Sequence, residues 1–126
     1  QLSYLNLIIN SRYKNFRLFD KAANRNNAFN KLDLSNMNFI SNFTYPVMCK
    51  TQNLFQEYTK KFKKDKVEIR PLIAGDITKQ PFFKKYIKKK YNLPNTNYLH
   101  ENAFYIPNRP DLSEIEIKRI LNILNS

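Results

Sequence analysis

The sequence predicts an α+β domain, a small sheet of about three strands flanked by helices. Three observations carry this. Apolar residues recur at spacings of three and four toward both ends of the chain. Between them the rhythm changes to strict alternation over short runs punctuated by proline. The 126 residues have room for one hydrophobic core. A single domain over residues 1–126 is therefore expected, with no internal repeat.

The first element is the longest. Leu2, Leu5, Ile9, Tyr13, Phe16, Phe19 and Ala23 fall on one face of a helix from about Leu2 to Asn24. Asn24 to Asn38 is rich in Asn and lacks a period, which predicts a connection with one helical turn near Ala28 to Leu32. From Phe39 to Cys49 the alternation of Phe43, Tyr45, Val47 and Cys49 predicts a strand. Thr51 is placed to cap a second helix whose buried stripe is Leu54, Phe55, Tyr58 and Phe62. Val67 and Ile69 predict a short strand that Pro71 confines to an edge or an end.

Pro81 can start a short helix running through Lys90, with Phe82, Phe83, Tyr86 and Ile87 as its apolar residues. A loop containing Pro94 is expected next, then a strand from Phe104 to Ile106 closed by Pro107. The last helix has the clearest local signature. Ser113 and Glu116 stand in the relation of a capping box, and Leu112 and Ile117 in that of a hydrophobic staple. Ile117, Ile120, Leu121 and Leu124 continue its stripe and should dock it on the sheet.

A formal net charge of +12 would draw the chain toward phosphates, nucleic acid or anionic lipid. Many of the lysines, however, lie in two runs, Lys60 to Lys66 and Lys84 to Lys90, each at the end of a predicted helix, where cations also suit the helix dipole. A solvated face is the favoured reading. No apolar run approaches the roughly 20 residues that cross a bilayer, so no membrane partner is expected. A single cysteine, Cys49, cannot form an internal disulfide and fits a reducing compartment. With Gln1 in place of Met and no visible signal peptide, a cytoplasmic fragment of a longer chain is expected.

No catalytic constellation is visible. His100 has no second His or Cys at metal-ligand spacing, Cys49 lies on the apolar side of a strand, and there is no glycine-rich phosphate loop. Catalytic residues, metal ligands and cofactor ligands are accordingly all expected to be absent from this chain. Its one glycine, Gly75, sits in Arg70-Pro-Leu-Ile-Ala-Gly-Asp-Ile-Thr-Lys-Gln-Pro81. Glycine there supplies a positive φ or a close backbone approach. The loop from Ala74 to Gln80 could thus present Asp76, Thr78 and Gln80, beside Arg70, to a ligand. An ordinary turn after an edge strand explains the same spacing, and on spacing alone it is the stronger reading.

Val67 to Phe83, V-E-I-R-P-L-I-A-G-D-I-T-K-Q-P-F-F, resembles the segment E-x-R-P-x-x-A-G-N-x-x-x-Q-P-x-F of the DegT/DnrJ/EryC1/StrS family of sugar aminotransferases and dehydratases. The block L-H-E-N-A-F-Y-I-P-N-R-P-D-L-S-E-I-E-I is similar to that family's C-terminal L-H-E-x-G-F-Y-I-G-N-H-P-D-L-T-E-E-E-I. Arg12 to Phe19 resembles the end of the long helix leading into the small domain, and Asn42 to Val47 the strand ending in F-P-V. Together these cover most of the chain in order.

The resemblance implies the C-terminal small domain of a fold-type I enzyme that uses PLP (or PMP) on nucleotide-linked keto-deoxysugars, as an aminotransferase or a 3-dehydratase, in lipopolysaccharide, O-antigen or related sugar biosynthesis. It implies a homodimeric full-length enzyme whose large domain carries the Schiff-base lysine, or a histidine in its place. No cofactor is expected on this chain alone. Arg70, Asp76, Thr78, Gln80, Asn108 and Arg109 are the implied substrate contacts, the two arginines as anion partners. Asp76 stands where the family usually has Asn, Arg109 where it has His, and Ala103 and Pro107 replace two common glycines. The competing reading is a free-standing basic module that binds nucleic acid without sequence preference through the two lysine runs, with Tyr86 and Tyr91 for stacking. It ranks lower, because basic runs are common and two ordered motif blocks are not; specific nucleic-acid binding is not expected. A separately encoded small domain that has lost the chemistry ranks lower too.

Overall fold

The computed structural model describes residues 2–72 and 75–126; Ile73, and Ala74 at the start of the predicted ligand loop, lie outside the described residues. A 3-10 turn over Leu2–Tyr4 leads into helix α1 (Leu5–Ala23). Strand β1 (Thr44–Met48), helix α2 (Gln52–Lys64) and the two-residue strand β2 (Arg70–Pro71) follow. A 3-10 turn over Ile77–Lys79 then precedes helices α3 (Pro81–Tyr86) and α4 (Pro94–Asn102), strand β3 (Ala103–Pro107) and helix α5 (Glu114–Leu124). The class is α+β, with one antiparallel sheet in the order β1-β3-β2.

The last strand in sequence is the central one, and the prolines explain why. A ladder position that lacks N–H is tolerated at an edge, and Pro46 and Pro71 lie in the two edge strands, while Pro107 ends β3. Pairing of Tyr45 with Ile106 and Val47 with Phe104 puts four buried side chains on one face of the sheet. Phe16 and Phe19 of α1 meet the Tyr45 ring edge-on, Phe62 of α2 meets Phe104 in the same way, and Ile120 and Leu124 of α5 complete the core. Burial pushes the Tyr45 phenol far above its usual range, and the nearby Asp20 carboxylate, which accepts its hydrogen bond at 3.3 Å, adds to this.

Most predicted elements are present, with instructive shifts. The apolar face of α1 is buried at Phe16, Phe19 and Ala23, but Leu5 and, in the preceding 3-10 turn, Leu2 are exposed. No helical turn forms at Ala28 to Leu32. Instead Phe29 bridges Cys49, with Asn30 N–H donating to Met48 O (2.8 Å) and Lys50 N–H to Ala28 O (2.9 Å). Asn26 diverts the chain there by donating from Nδ2 to the Leu124 carbonyl and the Tyr58 hydroxyl while its Oδ1 accepts from Ala28 N–H. The strand predicted from Phe39 begins only at Thr44, since Phe39 leaves to stack on Tyr13 at 4.7 Å. Val67 and Ile69 pack against the core beside the sheet, and the ladder forms one residue later, at Arg70 and Pro71.

The Pro94 segment, expected as a loop, is helix α4. Its polar sequence hides any apolar period, but Pro94 in the first turn, where a missing N–H costs nothing, was the available signal. Helix α3 ends at Tyr86, short of Lys90, and Phe82, Tyr86 and Ile87 stay exposed. Both predicted caps form: Thr51 accepts from Leu54 N–H, and Ser113 and Glu116 exchange side-chain to backbone bonds as a full capping box. Leu112 and Ile117 pack against the core, as a staple requires.

Helix α2 ends in a Schellman motif. Val67 N–H donates to Phe62 O (2.9 Å) and Lys66 N–H to Lys63 O (3.0 Å), with Lys66 in the left-handed region at φ 57°. That position favours glycine, because any Cβ there crowds the backbone. Replacing Lys66 by Gly is expected to stabilise the domain by about 0.5 to 1 kcal/mol. Chemical denaturation of the two proteins would check it; an unchanged or lowered midpoint contradicts the assigned cap.

Candidate functional site

The face of the sheet opposite the core is open, and β3 supplies its centre. Tyr105 points away from Phe104 and Ile106, and the register sets Arg70 of β2 directly across from it. With Phe43, Thr44, Glu68, Pro107 and Arg109 these two side chains line a shallow cavity of about 220 Å³. The Phe43 and Tyr105 rings meet edge to face at 6.3 Å. Both guanidiniums are exposed, and each is oriented by acids. Arg70 Nε donates to Glu68 at 2.7 Å, which holds it further in the charged form, and Arg109 lies 3.5 Å from both Asp111 and Glu116. Two planar cations beside two aromatic rings can take a phosphate or carboxylate together with a flat or apolar group.

Asn108 does not join them. Its side chain is fully buried, and Nδ2 donates to the carbonyls of Arg12 (3.0 Å) and Asn42 (2.8 Å). Its N–H donates to Phe43 O at 2.8 Å. Asn108, expected as a substrate contact, thus ties α1, the entry to β1 and the end of β3 together, with both amide hydrogens in use and Oδ1 buried without a partner among the described residues. Asn15 Nδ2 donates to the Arg109 carbonyl at 3.2 Å, which turns the Arg109 side chain outward.

Asp76, Thr78 and Gln80 form a second cluster that does not line this cavity. Asp76 is buried and caps the 3-10 turn, accepting from Thr78 N–H (3.0 Å) and Thr78 Oγ1 (2.6 Å). The Thr78 hydroxyl holds the Asp76 carboxyl below its usual range. Both of Thr78's donors meet an acceptor, so an Asp serves where the resemblance would place an Asn. Gln80 is half-buried at the start of α3, with no side-chain cap bond. Thr78 faces a separate cavity of about 440 Å³, bounded by Phe83, Lys84 and the segment Ile87 to Tyr91.

Sequence reasoning missed Phe43, Glu68 and Tyr105. Alternation along β3 was the signal for Tyr105, since a residue between two core positions must face the other way. Cys49 is buried, and burial pushes its thiol up to about 12, which leaves no thiolate nucleophile. Among the described residues no three His, Cys, Asp or Glu side chains converge as a metal site. Among the lysines, Lys61 pairs with Glu57 and Lys79 with Glu101, while Lys84 and Lys88 to Lys90 bound the cavity of about 440 Å³. The two lysine runs lie on separate exposed elements, and nothing in their geometry supports a nucleic-acid module.

The model of the DegT/DnrJ/EryC1/StrS aminotransferase family matches residues 1–125. The chain belongs to this family. Among solved structures it is similar to a GDP-4-keto-6-deoxy-D-mannose-3-dehydratase from E. coli with bound hydrated PLP, at 21% identity and a TM-score of 0.80 over 98% of this chain and 32% of that one. It is equally similar to a GDP-4-keto-6-deoxymannose-3-dehydratase with a trapped PLP-glutamate geminal diamine, at 21% identity and a TM-score of 0.81 over 98% of this chain and 33% of that one. No curated protein matches. The small α+β fold of this DegT/DnrJ/EryC1/StrS member is thus one found in PLP enzymes, and the chain spans about a third of the length of those structures. Among the described residues no helix is long and apolar enough to cross a membrane.

Because Asn108 is a structural tie, Asn108→Ala is expected to lower stability by about 1 to 3 kcal/mol through two orphaned carbonyls. Unfolding curves would measure the loss. A stability equal to that of the parent chain would return Asn108 to the candidate contacts.

Proposed function

We propose that this chain is the C-terminal small domain of a PLP-dependent, homodimeric cytoplasmic enzyme acting on nucleotide-linked keto-deoxysugars, as an aminotransferase or a 3-dehydratase, in lipopolysaccharide, O-antigen or related sugar biosynthesis. Family membership supports the class of enzyme, and likeness to about a third of two PLP-bound dehydratases supports a domain of a larger protein. The single observation that carries the role of this chain is the convergence of Arg70 and Arg109 on one aromatic-lined cavity.

In this reading the two guanidiniums hold the anionic, phosphate-bearing part of the substrate through paired N–H donors, while Glu68, Asp111 and Glu116 keep them aimed. Phe43 and Tyr105 exclude water from one side of the bound group. The cofactor supplies the electron sink for chemistry at the sugar, and its ligands come from the large domain. This chain binds and orients. Asp76, Thr78 and Gln80 act as a second, separately positioned edge of the same site.

In the full-length enzyme, Arg70→Ala and Arg109→Ala should each lower kcat/KM for the nucleotide sugar by about 5- to 150-fold, the scale of one to two charged hydrogen bonds. The PLP absorbance should be retained. Unchanged kcat/KM in both variants would remove this cavity from substrate binding, and loss of the cofactor spectrum would place the arginines at the cofactor instead.

A further inference from the structure

His100 lies on α4, exposed and alone of its kind in the chain, yet one of its nitrogens is in use. Asp76 N–H donates to His100 Nδ1 at 3.2 Å. A ring nitrogen that accepts carries no proton, so this bond requires an imidazole whose proton is on Nε2. Gly75, one residue earlier, runs at φ +49°, and a Cβ built on it would collide with the same Nδ1. The left-handed turn and the missing side chain together let the backbone come close enough for the Asp76 amide to reach the ring. A second tie between the same two segments, Lys79 to Glu101 at 2.9 Å, is on the surface and correspondingly weak.

We infer that His100 is a positioning residue, whose neutral imidazole pins the Gly75–Gln80 segment to α4 and releases it on protonation. The amide it accepts belongs to Asp76, whose carboxylate in turn sets Thr78, so one bond at the start of the segment determines where the following side chains stand. Protonation places a second N–H donor on Nδ1, facing the Asp76 N–H donor, and the bond is lost. Three charged groups face the ring. They are the Asp76 carboxylate from the loop and the Glu101 carboxylate from α4, the latter paired with Lys79. The protonated ring can then turn from the amide to a carboxylate. That this segment meets substrate rests on the function proposed above; the pin itself does not.

Hydrogen–deuterium exchange of the full-length enzyme, read on peptides covering residues 75–80, tests both parts. Protection is expected to fall about tenfold in His100→Ala at about pH 8, and in the unsubstituted enzyme as the pH is lowered to about 5.5. Asn places Oδ1 where His has Nδ1, so His100→Asn should keep protection within about twofold at both pH values, having an acceptor that does not titrate. Core peptides from α1 and β3 report whether either variant still folds. The pin is overturned if His100→Asn loses as much protection as His100→Ala, or if protection in the unsubstituted enzyme is the same at both pH values. KM separates the pin from the function: a freed segment should raise KM for the nucleotide sugar several-fold. An unchanged KM beside lost protection would leave the pin standing and withdraw the segment from substrate binding.

Discussion

Five residues near the end of the chain, Ala103 to Pro107, must serve both faces of a sheet whose edge strands each carry a proline. Neither β1 nor β2 can pair on both sides without an orphaned carbonyl opposite Pro46 or Pro71, so the chain has to finish folding before its sheet has a centre. The long-range contacts follow from this. The register of β3 against β1 brings Phe104 and Ile106 beside Val47 and Tyr45, and only then is there a surface for α1, α2 and α5 to cover. Burial of this cluster is the dominant stabilising term, and the caps at Thr51 and Ser113 fix where the covering helices begin.

The same strand accounts for what could be read from the sequence and what could not. Strong periodicity with a cap was legible: α2 and α5 lie where Thr51 and Ser113 predict them. Weak elements were not. Helix α4 carries Asn95, Thr96, Asn97 and His100, with no apolar stripe for a period to reveal, and it forms because it packs against α2 and runs directly into β3. The Phe29 bridge depends on Asn26 reaching the far end of the chain at Leu124, a contact that no local rule encodes. Arg70 and Arg109 were identified from motif blocks, but their convergence is a consequence of register, which residue spacing alone does not specify.

Charge makes the same point about context. The excess of cations that a composition of +12 announces is concentrated away from the cavity, on exposed parts of α2 and the segment after α3. At the cavity the arginines are matched with acids: Glu68 on Arg70, and Asp111 with Glu116 on Arg109. Exposed pairs of this kind contribute little to stability. Their effect is to restrict the guanidinium orientations at the cavity. Glu116 does two tasks at once, accepting from Ser113 N–H in the capping box and standing by Arg109, so the start of α5 and the rim of the cavity are set by one carboxylate. Its carboxyl is held below the usual range by Ser113 first, with Arg109 a smaller contribution, and the cap therefore persists well into mildly acidic solution.

Alternation does not stop where the ladder stops. Phe104 is buried, Tyr105 faces the open side, Ile106 is buried, Pro107 lines the cavity, Asn108 is buried and Arg109 returns to the cavity. The period of two runs for six residues and carries a polar residue inward at its fifth step, where Asn108 satisfies carbonyls of Arg12 and Asn42 that no apolar side chain could. An inward Asn at that point is what an extended strand requires if the chain is to leave the sheet between α1 and the entry to β1. Arg109 is consequently aimed by the parity of its position, and its carbonyl is clamped by Asn15 from behind. Taken alone, N-R-P-D looks like a polar turn offering two contacts side by side. With the strand before it, the motif divides into one residue that is buried and one that lines the cavity.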